Sequence, residues 1–311
     1  MSSEDVVVLA GGTGGAKLVR GMADVVEPER LAAVVNTGDD IEIYGAHVSP
    51  DPDLVSFWLA DLIDARGWGL AGDTFAVMDA LRALGVEVWF NLGDRDLAWC
   101  LERARLIAGG ATATAALARL NAAIGVRARV LPASDERLRT FVRMSSGWQS
   151  FQEFMIRERA APAVEGLEFR GAERARPTQQ VLEAIVRASA IIIGPSNPLA
   201  SIGPMLAMPA LRAALERCDA PVVAVSPIVG GEVLKGPTAA FMSYAQLPCD
   251  ASGVARFYEG LLDGIVADEA LPGTDLPALR TDTRMDDAQS RARVAAETLA
   301  FARELAAARL R

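Results

Sequence analysis

Histidine is almost missing from this chain of 311 residues: His47 stands alone. That excludes a multi-histidine zinc site, and a Ser-His-Asp triad would have to use His47 itself, without the GxSxG elbow that presents such a serine. Cysteine is scarce as well. Cys100, Cys218 and Cys249 are odd in number and far apart, so they provide neither a disulfide framework nor a CxxC metal pair. Aromatic residues make up only 6%. No apolar run approaches the 18 or so residues of a membrane span, and the acidic start (Glu4, Asp5) does not read as a signal peptide, so a cytoplasmic location is expected. Basic residues are outnumbered, 31 Lys and Arg against 40 Asp and Glu, for a formal charge of −9. That balance disfavours general binding to nucleic acid or anionic membrane. Catalysis, if present, must run on carboxylates, Lys or Arg, backbone amides, or a metal held by oxygen.

What the chain has is apolar content, 51% of residues, arranged in short β-branched runs separated by helical patterns. Runs at Val6–Ala10, Leu31–Val35, Val86–Phe90, Arg129–Pro132, Ala190–Gly194 and Pro221–Val225 predict buried strands. Helical spacing predicts helices near 17–25, 53–65, 74–84, 97–108, 112–123, 178–188, 209–217 and 286–311. The alternation indicates an α/β fold: a Rossmann-like, doubly wound, mainly parallel sheet with helices on both faces. Residues 134–176 are more charged and less periodic, and predict a smaller inserted α+β sub-domain between core segments 1–133 and 177–311.

Small and polar residues punctuate the ends of these strands. In open α/β sheets that edge is where ligands bind. Gly11–Lys17 (GGTGGAK) follows the first strand and opens a helix, an arrangement suited to phosphate. It lacks the Gly-Lys-Ser/Thr ending of a P-loop, and Asn36 stands where a dinucleotide fold wants an acid, so NAD is disfavoured. The plainer alternative is a turn made of glycine for packing alone. Asp39, Asp40, Asp51 and Asp53 place four carboxylates within a short stretch, suited to a hard cation such as Mg²⁺, although Asp51 and Asp53 also suit a helix N-terminus. Gly93–Asp96 (GDRD) offers Arg95 to an anionic or polar group, or simply a capped helix start. Ser196 and Asn197, and more weakly Ser226, offer uncharged hydrogen-bonding groups at later strand ends.

In order and spacing these segments resemble the 2-phospho-L-lactate transferase family of deazaflavin coenzyme F-420 biosynthesis. The matching stretches are LAGGTGGAKLVRG (Leu9–Gly21), NTGDD (Asn36–Asp40), SPDPDL (Ser49–Leu54), GWG (Gly67–Gly69), GDT (Gly72–Thr74) and LGDRDLA (Leu92–Ala98). LPASDERLRT (Leu131–Thr140), FQEF (Phe151–Phe154), GPSNPLASIGP (Gly194–Pro204) and SPIVGGEVLKGP (Ser226–Pro237) continue the series. The resemblance implies transfer of a phospho-hydroxyacid from its GDP-linked form to the ribityl hydroxyl of 7,8-didemethyl-8-hydroxy-5-deazariboflavin, with release of GMP. Mg²⁺ dependence and a homodimer are implied with it. The deazaflavin would lie near Asp53 and Arg95, with Gln152 and Glu153 beside it. Gly12, Thr13, Gly14, Lys17, Ser196, Asn197 and Ser226 would hold nucleotide and phosphate. Asp39, Asp40 and Asp53 would hold the metal, with Asp53 and Asp40 as the catalytic carboxylates. Replacing Asp53 by alanine is then expected to stop turnover and spare the fold. Two alternatives share parts of the pattern. One is a non-catalytic, gluconeogenesis-factor-like nucleotide-sugar-binding regulator; the other is a glycosyltransferase reading Asp51-Pro52-Asp53 as its metal site.

Overall fold

A computed structural model describes residues 5–233, 236–271 and 274–309. Among these, the chain builds a seven-stranded sheet from β1 (Asp5–Ala10), β2 (Leu31–Val35), β3 (Arg129–Pro132), β4 (Ala188–Ile193), β5 (Val222–Val225), β6 (Gly264–Ala267) and β7 (Ala278–Arg280). The spatial order is 7-6-5-4-1-2-3 and every pairing is parallel. β1 lies in the middle, with Val8 opposite Ala33 of β2 and Ile192 of β4. From Val6 to Ala10 it is wholly buried, which is why its residues are apolar on both faces.

Alternate side chains of β1 feed two cores. Val6, Val8 and Ala10 pack with α1 (Gly12–Met22), α2 (Pro50–Leu59) and the last helix, Ala288–Arg309. Val7 and Leu9 pack with helices Gln179–Arg187, Pro209–Glu216 and Thr238–Tyr244. The sheet is thus doubly wound, as the alternation of strands and helices predicts. The order reverses between β1 and β4, and the crevice past their carboxyl ends is the position that geometry reserves for ligands.

Residues 139–170 carry a three-stranded antiparallel sheet and the helix Phe151–Ile156. Leu138, Val142, Met144 and Phe154 of this region join the core on the Val7 face. A hairpin, Ile41–Ile43 with Ala46–Val48, precedes α2. Two more helices matter to the site, α3 (Ala76–Ala83) and α4 (Asp94–Ala108).

One expected strand is absent. Val86–Phe90 joins no sheet and runs as irregular chain between α3 and α4. Val86 is exposed, while Phe90 joins Ala46, Val48, Met78, Leu92, Leu97 and Cys100 in a small separate core. The apolar run serves that satellite core and the wall of a cavity, not a sheet. The strands β6 and β7 are short and were not evident in the pattern. The helix expected over 17–25 begins earlier, at Gly12, because the glycine segment itself is helical. That expected over 53–65 spans Pro50–Leu59. The expected last helix is seen to Arg309, and Leu310 and Arg311 lie outside the described residues. No single helix among the described residues is long and apolar enough to cross a membrane.

Candidate active site at the sheet's switch point

A cavity of about 870 Å³ opens where the strand order reverses. Part of its lining is polar: Gly11, Gly12, Thr13, Gly14 and Lys17 of the first loop and helix, Asp39, Asp51, and Ser196 and Asn197 after β4. Another part is apolar and aromatic, with Phe57, Trp68, Phe75, Trp89, Phe90 and Met155. Asp53, Asp96 and Gln152 also line it.

The glycine-rich segment needs its glycines for conformation at one residue and for close packing at others. Gly12 has φ +63°, a conformation that favours glycine. Gly14 and Gly15 are small for packing: a Cβ on Gly14 would overlap the Pro195 carbonyl, and one on Gly15 would lie 2.6 Å from Ser196 Oγ. This close approach joins the β1 and β4 loops, and the Gly11 N–H donates to Ser196 Oγ at 3.1 Å. Asn197 accepts the N–H groups of Leu199 and Ala200 on Oδ1, leaving its Nδ2 buried and without a partner.

The carboxylates divide by partner. Asp51 Oδ1 accepts the Gly12 N–H at 2.7 Å and Oδ2 accepts Asn36 Nδ2 at 3.0 Å. Asp51 thus sits in the first turn of α2 but serves the amino end of α1. Burial pushes its carboxyl up to about 6 against those two hydrogen bonds. Asp39 Oδ1 is buried with no hydrogen-bond partner. Burial, then the charge of Asp51, pushes Asp39 well above the ordinary carboxylate range. The Asp39 carbonyl accepts Gln152 Nε2 at 3.2 Å, which ties the turn after β2 to the helix Phe151–Ile156.

Asp53 is committed elsewhere. Arg103 reaches from α4 with Nη1 to Oδ2 at 3.0 Å and Nη2 to Oδ1, and Trp99 Nε1 donates to Oδ1 at 2.7 Å. Asp53 is 4% exposed and Arg103 2%. Burial pushes the Asp53 carboxyl up, and the charge and hydrogen bonds of Arg103 pull it back. Burial would lower the Arg103 guanidinium, but the Asp53 carboxylate outweighs this and holds it above its ordinary value. Two carboxylate oxygens facing two guanidinium nitrogens leave no direction for a carboxyl proton, so the pair is ionic.

Four of the sequence-predicted residues lie outside the cavity wall. Asp40 accepts Ser49 Oγ at 2.7 Å and faces His47 Nε2 at 3.3 Å, so the single histidine and Asp40 brace the hairpin. Arg95 is exposed, and its Nη1 donates to the Ala71 carbonyl at 3.1 Å. Glu153 forms a capping box with Ser150. Ser226 is buried, and its Oγ closes a turn with Ile228.

The GDT and GDRD segments are two halves of one clamp. Asp73 accepts the N–H groups of Arg95 and Asp96 at the start of α4. Asp94 accepts Thr74 Oγ1 and the N–H groups of Ala76 and Val77 at the start of α3. Arg103 and Asp96 escaped sequence reasoning as site residues. An arginine inside a charged helix carries no signal of burial, and Asp96 reads as an acidic first turn.

Residues 6–300 match the family model described as 2-phospho-L-lactate transferase CofD. The chain belongs to that family. It is 38% identical over 265 residues to the 2-phospho-L-lactate transferase of Methanosarcina mazei, covering 85% of this chain and 87% of that one. It is 36% identical over 316 residues to the phosphoenolpyruvate transferase of Streptomyces griseus, covering 97% and 99%. A solved structure of a UPF0052-family protein from Bacillus halodurans shares the fold, with TM-score 0.58 at 20% identity, covering 87% and 82% of the two chains. Family membership makes the chain a transferase; the solved structure speaks to architecture alone.

Proposed function

We propose that the protein moves a phospho-hydroxyacid from its GDP-linked form to the ribityl hydroxyl of 7,8-didemethyl-8-hydroxy-5-deazariboflavin, releasing GMP. The acid is 2-phospho-L-lactate or a phosphoenolpyruvate or 3-phosphoglycerate counterpart. The observation that carries this reading is one cavity lined by both polar and aromatic residues. Thr13, Gly14, Lys17, Ser196 and Asn197 line it for a charged nucleotide, and Phe57, Trp68, Phe75, Trp89 and Phe90 give apolar ring surface for a tricyclic acceptor.

On this reading Gly12, Thr13, Gly14 and Lys17 cradle phosphate, Ser196 and Asn197 hold the nucleotide side, and Gln152 and the aromatic wall receive the acceptor. Transfer of this type needs positioning and charge neutralisation more than covalent chemistry. The residues fit Mg²⁺ at Asp39 and Asp51: one has a buried, unpartnered oxygen, and burial with like charge raises both. A divalent cation there would neutralise the diphosphate. Asp53 belongs to the Arg103 pair and Asp40 to the hairpin, so neither is assigned the metal.

The test mixes purified protein, Mg²⁺, the deazaflavin and each of three GDP-linked donors, and follows GMP release and product mass. Deazaflavin-dependent GMP release with one donor is expected and names the acid. Measurable nucleotide binding without release from any donor would overturn the transferase reading in this form.

A further inference from the structure

If the transfer proposed above is the reaction, the acceptor hydroxyl must lose a proton, and Asp53 is poorly placed to take it: both its oxygens are held by Arg103 and Trp99. A second carboxylate stands beside it. Asp96 lies in the first turn of α4, lines the cavity, and offers an oxygen within 4.8 Å of one from Asp53. Among the described residues its side chain has one hydrogen-bond contact, the Cys100 thiol at 3.9 Å.

Its place along the cavity is specific. The Gly12 N–H is bonded to Asp51; Asp51 and Asp53 share the first turn of α2; Asp53 neighbours Asp96; and Trp89–Gly93, just before Asp96, line the cavity with two of its aromatic rings. By these neighbours Asp96 links the glycine-rich loop to the aromatic part of the lining, and on the proposed reading the acceptor hydroxyl and the phosphorus come together between them. Its backbone is fixed by the Asp96 N–H bond to Asp73 Oδ2 at 3.1 Å.

We propose that Asp96 is a catalytic residue of the transfer, accepting a hydrogen bond from the acceptor hydroxyl and taking its proton. The hydroxyl oxygen bonds to the phosphorus that carries the hydroxyacid. The bond from that phosphorus to the bridging oxygen breaks, its electron pair leaves with GMP, and the proton rests on Asp96 until water removes it. The charged and titratable groups facing Asp96 are Asp53 from α2, Asp73 from the loop before α3, and Cys100 and Arg103 from α4. Burial, then Asp53 and Asp73, pushes the Asp96 carboxyl up to about 7, a value suited to proton transfer at neutral pH.

The experiment compares wild type with Asp96→Asn and Asp96→Glu, using the donor that wild type accepts. Asp96→Asn is expected to bind deazaflavin and donor within about threefold of wild type, while kcat falls on the order of 10²–10³-fold. Asp96→Glu should recover part of kcat, and the rise of wild-type rate through pH 6–7 should be missing from Asp96→Asn. Turnover within about threefold of wild type, a loss confined to KM, or an unchanged pH profile in Asp96→Asn would each overturn the proposal. Lack of turnover by wild type with every donor would instead remove the functional reading on which it rests, and this inference with it.

Discussion

At the scale of single residues, the Asp53–Arg103 pair changes what a substitution means. From sequence, Asp53 marks a loop–helix boundary whose replacement by alanine spares the fold. In the structure, removing Asp53 strands a guanidinium that is 2% exposed. Breaking a buried pair from one side costs about 3–5 kcal/mol, whereas replacing both partners together is often nearly neutral. Arg103→Met and Asp53→Ala should each lose stability on that order in urea denaturation. The Asp53→Ala/Arg103→Met double variant should lose clearly less than the sum. Additive losses would mean that the two side chains act independently. Arg95 is a contrasting case. Its guanidinium holds the Ala71 carbonyl, beside the Gly67–Asp73 stretch that carries Trp68, so it reaches the cavity only by bracing that loop.

At the scale of elements, two devices hold the cavity open in one shape. The first is the contact of α1 with the loop after β4. Gly14→Ala must push the Pro195 carbonyl away, and overpacking of this kind costs about 1–3 kcal/mol. Calorimetry should show a lowered Tm for Gly14→Ala, with nucleotide affinity falling as well, because Pro195 and Asn197 line the same wall. An unchanged Tm would mean that the loop after β4 yields freely. The second device is the exchange of caps between α3 and α4. Losing an aspartate cap costs about 0.5–2 kcal/mol. Asp94→Ala is expected to raise amide exchange in Ala76–Ala83 ahead of the central strands, since α3 buries only Met78. Uniform exchange across both would show that α3 is held by packing and not by its cap.

At the scale of the whole molecule, buried acids set the response to pH. Asp51 and Asp96 carry folded values of about 6 and about 7, while an unfolded aspartate titrates near 4. Between those limits the folded chain binds more protons than the unfolded one, so this contribution to stability falls as pH rises from about 4 to about 7. Without added metal, Tm should decline across that window apart from other groups' effects. Asp96→Asn should flatten the decline and gain on the order of 2 kcal/mol at pH 8. An identical slope in the variant would separate Asp96 from it. Mg²⁺ should raise Tm at pH 8 by mass action, more in wild type than in Asp39→Asn. An equal rise in both would place the cation away from Asp39.

Much of this architecture is written locally. Val6–Ala10 can only be a buried strand, because an apolar, β-branched run of that length needs cover on both faces. The glycine segment, the acidic turns and the SNP loop mark one edge of the sheet because small and polar residues end each strand there. Local pattern fixes an element's kind and its buried face. It does not say where a side chain goes once helices pack. The tertiary structure alone turned Asp51 toward the amino end of α1, paired Asp53 with Arg103 fifty residues on, and set Asp40 against His47. It also made Val86–Phe90 a stretch between helices, with Phe90 in the cavity wall, instead of a strand. Charge pairing and burial depend on distances between residues far apart in the chain, and periodicity carries no information about those distances.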